Sequence, residues 1–222
     1  SNTTGANNTA VGYNSLIANT TGTGNTAVGR GAGDAITTAT NSVAVGDMAL
    51  GGHTTGTANT AVGSYCLAGA NMTGGYNTAM GQNCGANVTT GTNNSFFGWA
   101  AGDLITTTSY NTALGWMALS GAAGANNTVV GAQAGVAATG TSNTLVAVNA
   151  GYGLTSGSNN LLLGLDAGRT GSPGGNITSG SNIIVLGDEN ITSAQIKVDW
   201  TVASDQRDKT DFTALDLGLD FV

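Results

Sequence analysis

The stretch Asn25-Thr26-Ala27-Val28-Gly29 decides the fold, because it recurs along most of the chain. The same five residues stand at 8–12 and 59–63, and close variants such as Asn77-Thr78-Ala79-Met80-Gly81 follow. The last residue of each copy is glycine except at Ala147, and the positions are 12, 29, 46, 63, 81, 98, 115, 131, 147, 164 and 187. The spacing is 16 to 18 residues until the final step of 23. A period this short, with Gly and Asn turns, predicts one β-solenoid coil per repeat.

Two neighbouring positions of the repeat are apolar in every copy. The residue directly before the glycine, here named the valine column, is Val11, Val28, Val45, Val62, Met80, Phe97, Leu114, Val130, Val146, Leu163 and Leu186. The residue before that, the alanine column, is Ala10, Ala27, Ala44, Ala61, Ala79, Phe96, Ala113, Val129, Leu145, Leu162 and Val185. Successive residues of a strand point to opposite faces. We therefore expect the valine column to line a core and the alanine column to be buried too, with homo-oligomerisation covering the outer face.

Small residues occupy the position three after the glycine, and Cys66 and Cys84 stand there in adjacent coils. Strands stacked in register would place these cysteines about 4.8 Å apart. That spacing permits a disulfide. The simpler interpretation is that both thiols fill a tight column, as alanine does in other coils.

Polar residues also recur in register. Asparagine stands four residues before the glycine in nine copies: Asn8, Asn25, Asn59, Asn77, Asn94, Asn111, Asn127, Asn143 and Asn160. This row predicts an amide ladder that hydrogen-bonds each coil to the next. A threonine column lies eight residues before the glycine: Thr4, Thr21, Thr38, Thr55, Thr73, Thr90, Thr107 and Thr139. We expect the Asn, Thr and Gly columns to face solvent and to replace charge there.

Charged side chains make up only 8% of the 222 residues, against about 25% in an ordinary soluble domain. Seventeen residues are charged, and the four that precede Asp166 are Arg30, Asp34, Asp47 and Asp103. Five basic residues and a net charge of −7 argue against nucleic-acid binding. No run approaches the roughly 20 apolar residues of a membrane-spanning helix. Two cysteines and the lone His53 fit no zinc site and no histidine-based triad, so we predict no metal or cofactor.

The segment Asn41-Ser42-Val43-Ala44-Val45-Gly46-Asp47-Met48-Ala49 resembles the head repeats of trimeric autotransporter adhesins. The resemblance extends from about Asn8 to Gly187. It implies an all-β fold, a left-handed parallel β-roll, in which three chains pack around a threefold axis as a homotrimer.

A second resemblance lies at Ser204-Asp205-Gln206-Arg207-Asp208-Lys209, which precedes a helix-like segment at 212–222. It looks like the start of the self-cleaving intramolecular chaperone domain of phage tail fibres and tailspikes. The resemblance implies that Ser204 is the nucleophile and Lys209 its base in a single autoproteolytic event, because serine needs a neighbouring base to react. No turnover enzyme is expected. A charged linker that enters a helix is the alternative interpretation.

The chain thus divides into a β-roll at 1–171, a transition at 172–203 and the truncated start of a helical chaperone domain at 204–222. The transition contains Pro173, and the alternation at 195–202 predicts a strand there. Trp99 and Trp116 directly follow the glycine in consecutive coils, with Tyr13 in the same column. This aromatic column is a candidate sugar platform, and packing within the trimer or against a neighbouring fibre protein is the alternative.

Together these features predict a structural component of a phage tail fibre or tailspike. It would lie in the virion tail, contact other tail proteins and bind a glycan or protein receptor on the host surface, without membrane insertion. A bacterial trimeric adhesin at the cell surface is the alternative of similar architecture. A polysaccharide-cleaving tailspike needs a close carboxylate pair, and carboxylates are scarce before Asp166. Ice-binding solenoids also carry threonine arrays, but a turn explains pairs such as Thr20-Thr21 more simply.

Overall fold

The structure is a computed structural model that describes residues 2–193. Its strands are β1 Thr9–Val11, β2 Thr26–Val28, β3 Val43–Val45, β4 Thr60–Val62, β5 Thr78–Met80, β6 Ser95–Phe97, β7 Thr112–Leu114, β8 Thr128–Val130, β9 Thr144–Val146, β10 Leu161–Leu163 and β11 Ile184–Leu186. They form one sheet in sequence order, and each strand pairs in parallel with the next. The described residues contain no helix. The prediction of an all-β parallel solenoid with coils of about 17 residues is confirmed.

The strands stack in the register that the repeat predicts. Ala27 of β2 pairs with Ala44 of β3, and the same register continues through every pairing. It survives the 23-residue step, where Leu162 of β10 pairs with Val185 of β11. Each column of the repeat is therefore a row of stacked side chains along the solenoid.

The two apolar columns face in opposite directions. The alanine column points into the coil and is 0–3% exposed from Ala27 to Val185. The valine column lies outside, where Val11, Met80 and Leu114 are 56%, 49% and 49% exposed. The prediction that the valine column lines the core is therefore wrong. In five coils the strand contributes only a buried alanine to the interior, and turn side chains such as the fully buried Leu50 and Leu67 fill space there.

Four residues after the repeated glycine, the turn carries glycine in the coils of Phe96, Val129, Leu145 and Leu162, and leucine in four of the six coils whose strand residue is alanine. The coils of Ala27 and Ala79 carry glycine as well. In the coil of Ala44, the turn contributes Leu50, which is fully buried. In the coil of the fully buried Phe96, the same position is Gly102, and a Cβ there would lie 2.7 Å from the Phe96 ring. Both turn residues adopt the left-handed conformation, with φ of 51° at Leu50 and 62° at Gly102. The backbone is thus constant, and the side chains divide a fixed core volume.

The repeated glycine itself is required by close approach between coils. At Gly98 φ is 133°, and a Cβ would collide with the carbonyl oxygen of Gly115 in the next coil. Ala147 holds this position in the coil of β9 and adopts a φ of 119°. Such a conformation is strained for any residue with a Cβ.

The asparagine ladder is confirmed. Asn94 donates its backbone N–H to Oδ1 of Asn77 at 3.0 Å, and its Nδ2 donates to the same oxygen and to the carbonyl of Thr108, both at 3.0 Å. The expectation that this row faces solvent is wrong, because the asparagines from Asn25 to Asn160 are 0–2% exposed. Amides can be buried here because the ladder satisfies their hydrogen-bonding groups.

The threonine column at Thr21 and Thr38 is exposed, as expected. The hydroxyls that join coils belong to the residue before it. Thr20 Oγ1 donates to the carbonyl of Thr37 at 3.1 Å, and Thr37 Oγ1 donates to that of Thr54 at 3.2 Å. These bonds add a second polar connection between coils, on the turn side.

The sheet continues into the range 172–203 that the sequence assigns to a transition. Strand β11 lies there, and the backbone N–H of Ile183 donates to Oδ1 of Asn160 at 3.0 Å, which extends the ladder. The described residues up to Ile191 belong to one compact unit. The predicted strand at 195–202 and the predicted helix at 212–222 lie outside the described residues.

Candidate functional site

The outer sheet face consists of the first and third residues of the eleven strands. It contains no charged side chain, and its third position is the apolar valine column. In the middle of the solenoid, Met80 and Leu114 are about half exposed, and Phe97 between them is partly buried. Eleven strands at about 4.8 Å give this face a length of roughly 50 Å. An apolar row of that length is larger than the isolated apolar side chains found on monomer surfaces.

Trp99 and Trp116 lie beside this face, directly after β6 and β7. Their rings stack with centroids 6.0 Å apart and an interplanar angle of 18°. The side chains are 43% and 48% exposed. The separation is typical of an offset aromatic pair. The sequence thus correctly places the two indoles side by side, and their binding of sugar stays a prediction.

Tyr13 occupies the same column in the coil of β1, five strands away from Trp99, and is 75% exposed. Arg30, Asp47, Ser64 and Gln82 hold this column in the coils between them. Arg30 donates to Oδ2 of Asp47 at 2.7 Å, and this ion pair is largely exposed. The aromatic platform is therefore restricted to the two tryptophans.

A cavity of about 420 Å³ opens near the end of the solenoid, and sequence reasoning did not identify it. Its side chains come from three turns: Tyr152, Asp166, Arg169, Thr170, Asn176 and Glu189. Arg169 Nη1 donates to Oδ1 of Asp166 at 2.5 Å, and Arg169 Cζ lies 5.0 Å from the centre of the Tyr152 ring. The usable signal in the sequence was the 23-residue step together with the return of charge at Asp166.

Hydrogen bonds hold Asp166 of this cluster in its ionised form. The hydrogen bond from Arg169, followed by that from Asn149 at 2.9 Å, lowers the pKa of Asp166 below its ordinary value. Asp166 and Arg169 are both about one-third exposed, so solvent reaches the pair. The cavity therefore presents a fixed cation beside carboxylates rather than a neutral surface.

Cys66 and Cys84 are both fully buried and form no disulfide. They stack in adjacent coils, as predicted. A hydrogen bond with Cys84, reinforced by burial, raises the pKa of the Cys66 thiol. A thiol of raised pKa is a poor nucleophile and metal ligand. Both cysteines thus act as core residues in this structure.

His53 lies beside the part of the asparagine ladder where a serine interrupts the row. Ser42 replaces asparagine in the coil of β3, and Nδ2 of Asn59 contacts Nε2 of His53 at 3.0 Å. Because Nδ2 is a donor, Nε2 accepts, and the proton of the neutral ring lies on Nδ1. Burial lowers the pKa of His53 to about 4. The imidazole is therefore a neutral structural group at pH 7.

Two partly buried carboxylates, Asp34 and Asp103, do not form a catalytic pair. Burial raises the pKa of Asp34 and of Asp103, and each has a buried Oδ1 atom without a hydrogen-bond partner among the described residues. They follow β2 and β6 and are thus four strands apart. Within residues 2–193, no three His, Cys, Asp or Glu side chains come together as a metal site. The same residues include no helix with the length and apolar character to cross a membrane.

Ser204 and Lys209, the predicted autoproteolytic pair, lie outside the described residues. Comparison with protein-family models, curated proteins and solved structures found no match. The function must therefore be argued from the chain itself, and the outer sheet face, the tryptophan pair and the cavity are its candidate sites.

Proposed function

We propose that this chain is a structural segment of a phage tail fibre or tailspike, in which three copies pack their outer sheet faces together. The segment spaces and presents a surface for attachment to a host cell. The observation that carries the proposal is the outer face, which is uncharged and has the apolar valine column along all eleven strands.

Energetics favour covering this face. Burial of a half-exposed leucine or valine contributes roughly 1 kcal/mol, because full burial is worth about 1.5–3 kcal/mol. Five residues of the valine column are 37–56% exposed: Val11, Val28, Met80, Leu114 and Leu186. Covering them would add on the order of 5 kcal/mol per chain, which is comparable with the lower end of the stability of an ordinary domain. Each coil also contains a glycine and several turn residues whose ordering is entropically costly. A solenoid built in this way gains most of its net free energy of unfolding from association.

The choice of three copies rests on the resemblance of 41–49 to trimeric adhesin heads, and the phage assignment rests on the resemblance of 204–209 to the chaperone domain. A bacterial adhesin would use the same trimer. The two assignments differ in the chemistry at Ser204, since only the phage-type protein cleaves itself there.

Two matched leucines test the interface. Leu114 on the outer sheet face is 49% exposed, and Leu104 on a turn is 50% exposed. We expect the unaltered chain to have three times its mass of 21.6 kDa in light scattering. Leu114→Glu should dissociate the trimer, while Leu104→Glu should not. A folded monomer or dimer of the unaltered chain contradicts the proposal.

Mass spectrometry tests the phage assignment. The full-length chain and its Ser204→Ala variant are expressed in parallel, and we expect cleavage beside residue 204 in the first only. If both chains keep their full-length masses, which then differ only by the oxygen atom that the substitution removes, the autoproteolytic role is refuted. The argument for a phage protein over a bacterial adhesin fails with it.

A second candidate function is ice binding, which one feature of the outer face favours. Threonine is the first residue of seven strands, and these hydroxyl-bearing side chains lie in register outside the coil: Thr9, Thr26, Thr60, Thr78, Thr112, Thr128 and Thr144. The bulky Met80 and Phe97 beside them interrupt a flat array, which favours packing against another chain. Thermal hysteresis of the purified protein decides between the two.

A further inference from the structure

The solenoid departs from its period once, and the cavity lies at that departure. Between β10 and β11 the repeat takes 23 residues instead of about 17, and Arg169, Thr170 and Asn176 of the longer coil line the cavity. Regular coils need no such extension, because β10 and β11 pair in the ordinary register. The extra residues therefore contribute to the cavity wall without altering the sheet.

Charge is concentrated at the same place. Residues 2–193 contain eight charged side chains, and three of them, Asp166, Arg169 and Glu189, line this one cavity. The wall has both signs: a guanidinium with five N–H donors, one of which is given to Asp166, stands beside carboxylate acceptors. Thr170 adds a hydroxyl and Asn176 an amide, so donors and acceptors are interspersed.

Glycines give two of these polar groups their positions. A Cβ at Gly153 would lie 2.6 Å from Oδ1 of Asn176, and a Cβ at Gly171 would collide with the carboxylate of Glu189. Arg169 is fixed from two directions, by Asp166 and by the ring of Tyr152. Fixing polar groups before a ligand arrives reduces the entropy lost on binding.

We propose that this cavity, here named the end-coil cavity, binds a saccharide through its hydroxyl groups. Each sugar hydroxyl donates and accepts, which matches a wall where carboxylates alternate with a guanidinium, an amide and a hydroxyl. The volume of about 420 Å³ lies within the roughly 300–1,000 Å³ of small-molecule sites. Tyr152 adds an aromatic side chain to the same wall.

Other ligand classes fit the cavity less well. Two carboxylates against one guanidinium leave the wall with a net negative charge, which disfavours phosphate and sulfate. The carboxylates are too few for a metal site of three protein side chains within the described residues. An apolar ligand would exclude water from the remaining donors of Arg169 and from Glu189 without replacing those hydrogen bonds, at a considerable free-energy cost.

This inference deepens the proposed attachment function, since a sugar is one chemical class of host receptor. It does not depend on the trimer, because one chain supplies the whole wall. The end-coil cavity and the tryptophan pair are also separate, since they follow different strands. If the end-coil cavity binds no sugar, the proposal of a trimeric fibre segment is therefore unaffected.

The test uses the full chain and a panel of methyl glycosides of glucose, galactose, mannose, rhamnose and the N-acetylated hexosamines. Saturation-transfer NMR identifies binders, and titration calorimetry measures their affinity. We expect at least one binder, with an affinity that falls at least tenfold in Arg169→Ala and in Glu189→Gln. Arg30→Ala, which removes the other described ion pair, should leave the affinity unchanged.

Three results would overturn the proposal. One is the absence of binding by every member of the panel at millimolar concentration. Another is binding that is lost in Trp99→Ala and retained in Arg169→Ala, which would assign the sugar to the tryptophan pair. The third is an equal loss in Arg30→Ala and Arg169→Ala. Light scattering on each variant measures the oligomeric state separately. Loss of sugar binding can therefore be distinguished from loss of the trimer.

Discussion

The complementary sizes of Phe96 and Gly102 make a sharp prediction about how the core is filled. In the coil of Ala44 the same two positions are Ala44 and Leu50, with the turn residue in the same left-handed conformation. The double variant Phe96→Ala/Gly102→Leu would therefore convert one coil into the arrangement of another. Each single variant should lower the free energy of unfolding. The double variant should lower it by less than the sum of the two single effects.

The magnitudes follow from the structure. Phe96→Ala removes a fully buried ring and should reduce the free energy of unfolding by about 3–5 kcal/mol. Gly102→Leu alone places a Cβ 2.7 Å from that ring, and overpacking of this kind costs roughly 1–3 kcal/mol. In the double variant the new leucine occupies the emptied space and regains about 1.5–3 kcal/mol. The left-handed backbone costs about 1–2 kcal/mol in both chains that carry the new leucine, so this cost cancels when the double variant is compared with the two single variants. The double variant should then lie at least about 2 kcal/mol above the sum of the two single effects.

Urea denaturation followed by circular dichroism measures all four chains at one protein concentration, since association contributes to stability. A coupling energy of about 2 kcal/mol or more supports a shared core volume. Additive single effects, within about 0.5 kcal/mol, would refute it and would mean that the turn and the strand residue pack independently.

Three further predictions concern other rows of the solenoid. The pKa of His53 is about 4 in the folded chain and 6.5 in a model peptide, so on acidification the unfolded state takes up the proton first. The free energy of unfolding should therefore fall by about 3 kcal/mol between pH 6.5 and pH 4. His53→Gln should abolish this part of the pH dependence, as measured by denaturant titration at several pH values. Asn111→Ala leaves the buried N–H of Asn127 without its acceptor at 3.0 Å and should cost about 1–3 kcal/mol, whereas Asn87→Ala on the surface should cost less than about 1 kcal/mol. Ala147→Gly should raise the melting temperature, because relief of a φ of 119° is worth about 1–3 kcal/mol and the added chain entropy costs only about 0.5–1 kcal/mol. A lower melting temperature would mean that Ala147 is not strained.

Periodicity predicts the stacking of this chain but not the direction of its faces. Repeated spacing places Ala27 on Ala44 because a parallel sheet keeps equivalent residues in register. The inside and outside of the strand cannot be assigned from hydrophobicity, since both columns are apolar. The direction of the strand depends on how the turn residue, such as Leu50 or Gly102, shares the core with the strand residue. That contact is visible only in the three-dimensional coil.

Burial of the asparagine row was unpredictable for a related reason. A polar row is normally assigned to the surface, and the sequence does not reveal how many partners each amide finds. Asn94 makes three hydrogen bonds with the neighbouring coils, which removes the cost of its burial. The end-coil cavity was missed because its residues belong to three turns, and their convergence depends on the path of the irregular coil.

The replacement of asparagine by Ser42 predicts a mechanical weak point in the solenoid. Interstrand hydrogen bonds lie along the long axis of a parallel solenoid, so tension on its two ends loads the coil interfaces in series. At the interface between β3 and β4, the N–H of Asn59 reaches Ser42 Oγ at 3.4 Å, whereas Asn77 reaches Asn59 at 2.9 Å in the next interface. Under a pulling force, we expect the chain to begin to extend at this interface, where His53 is the substitute partner.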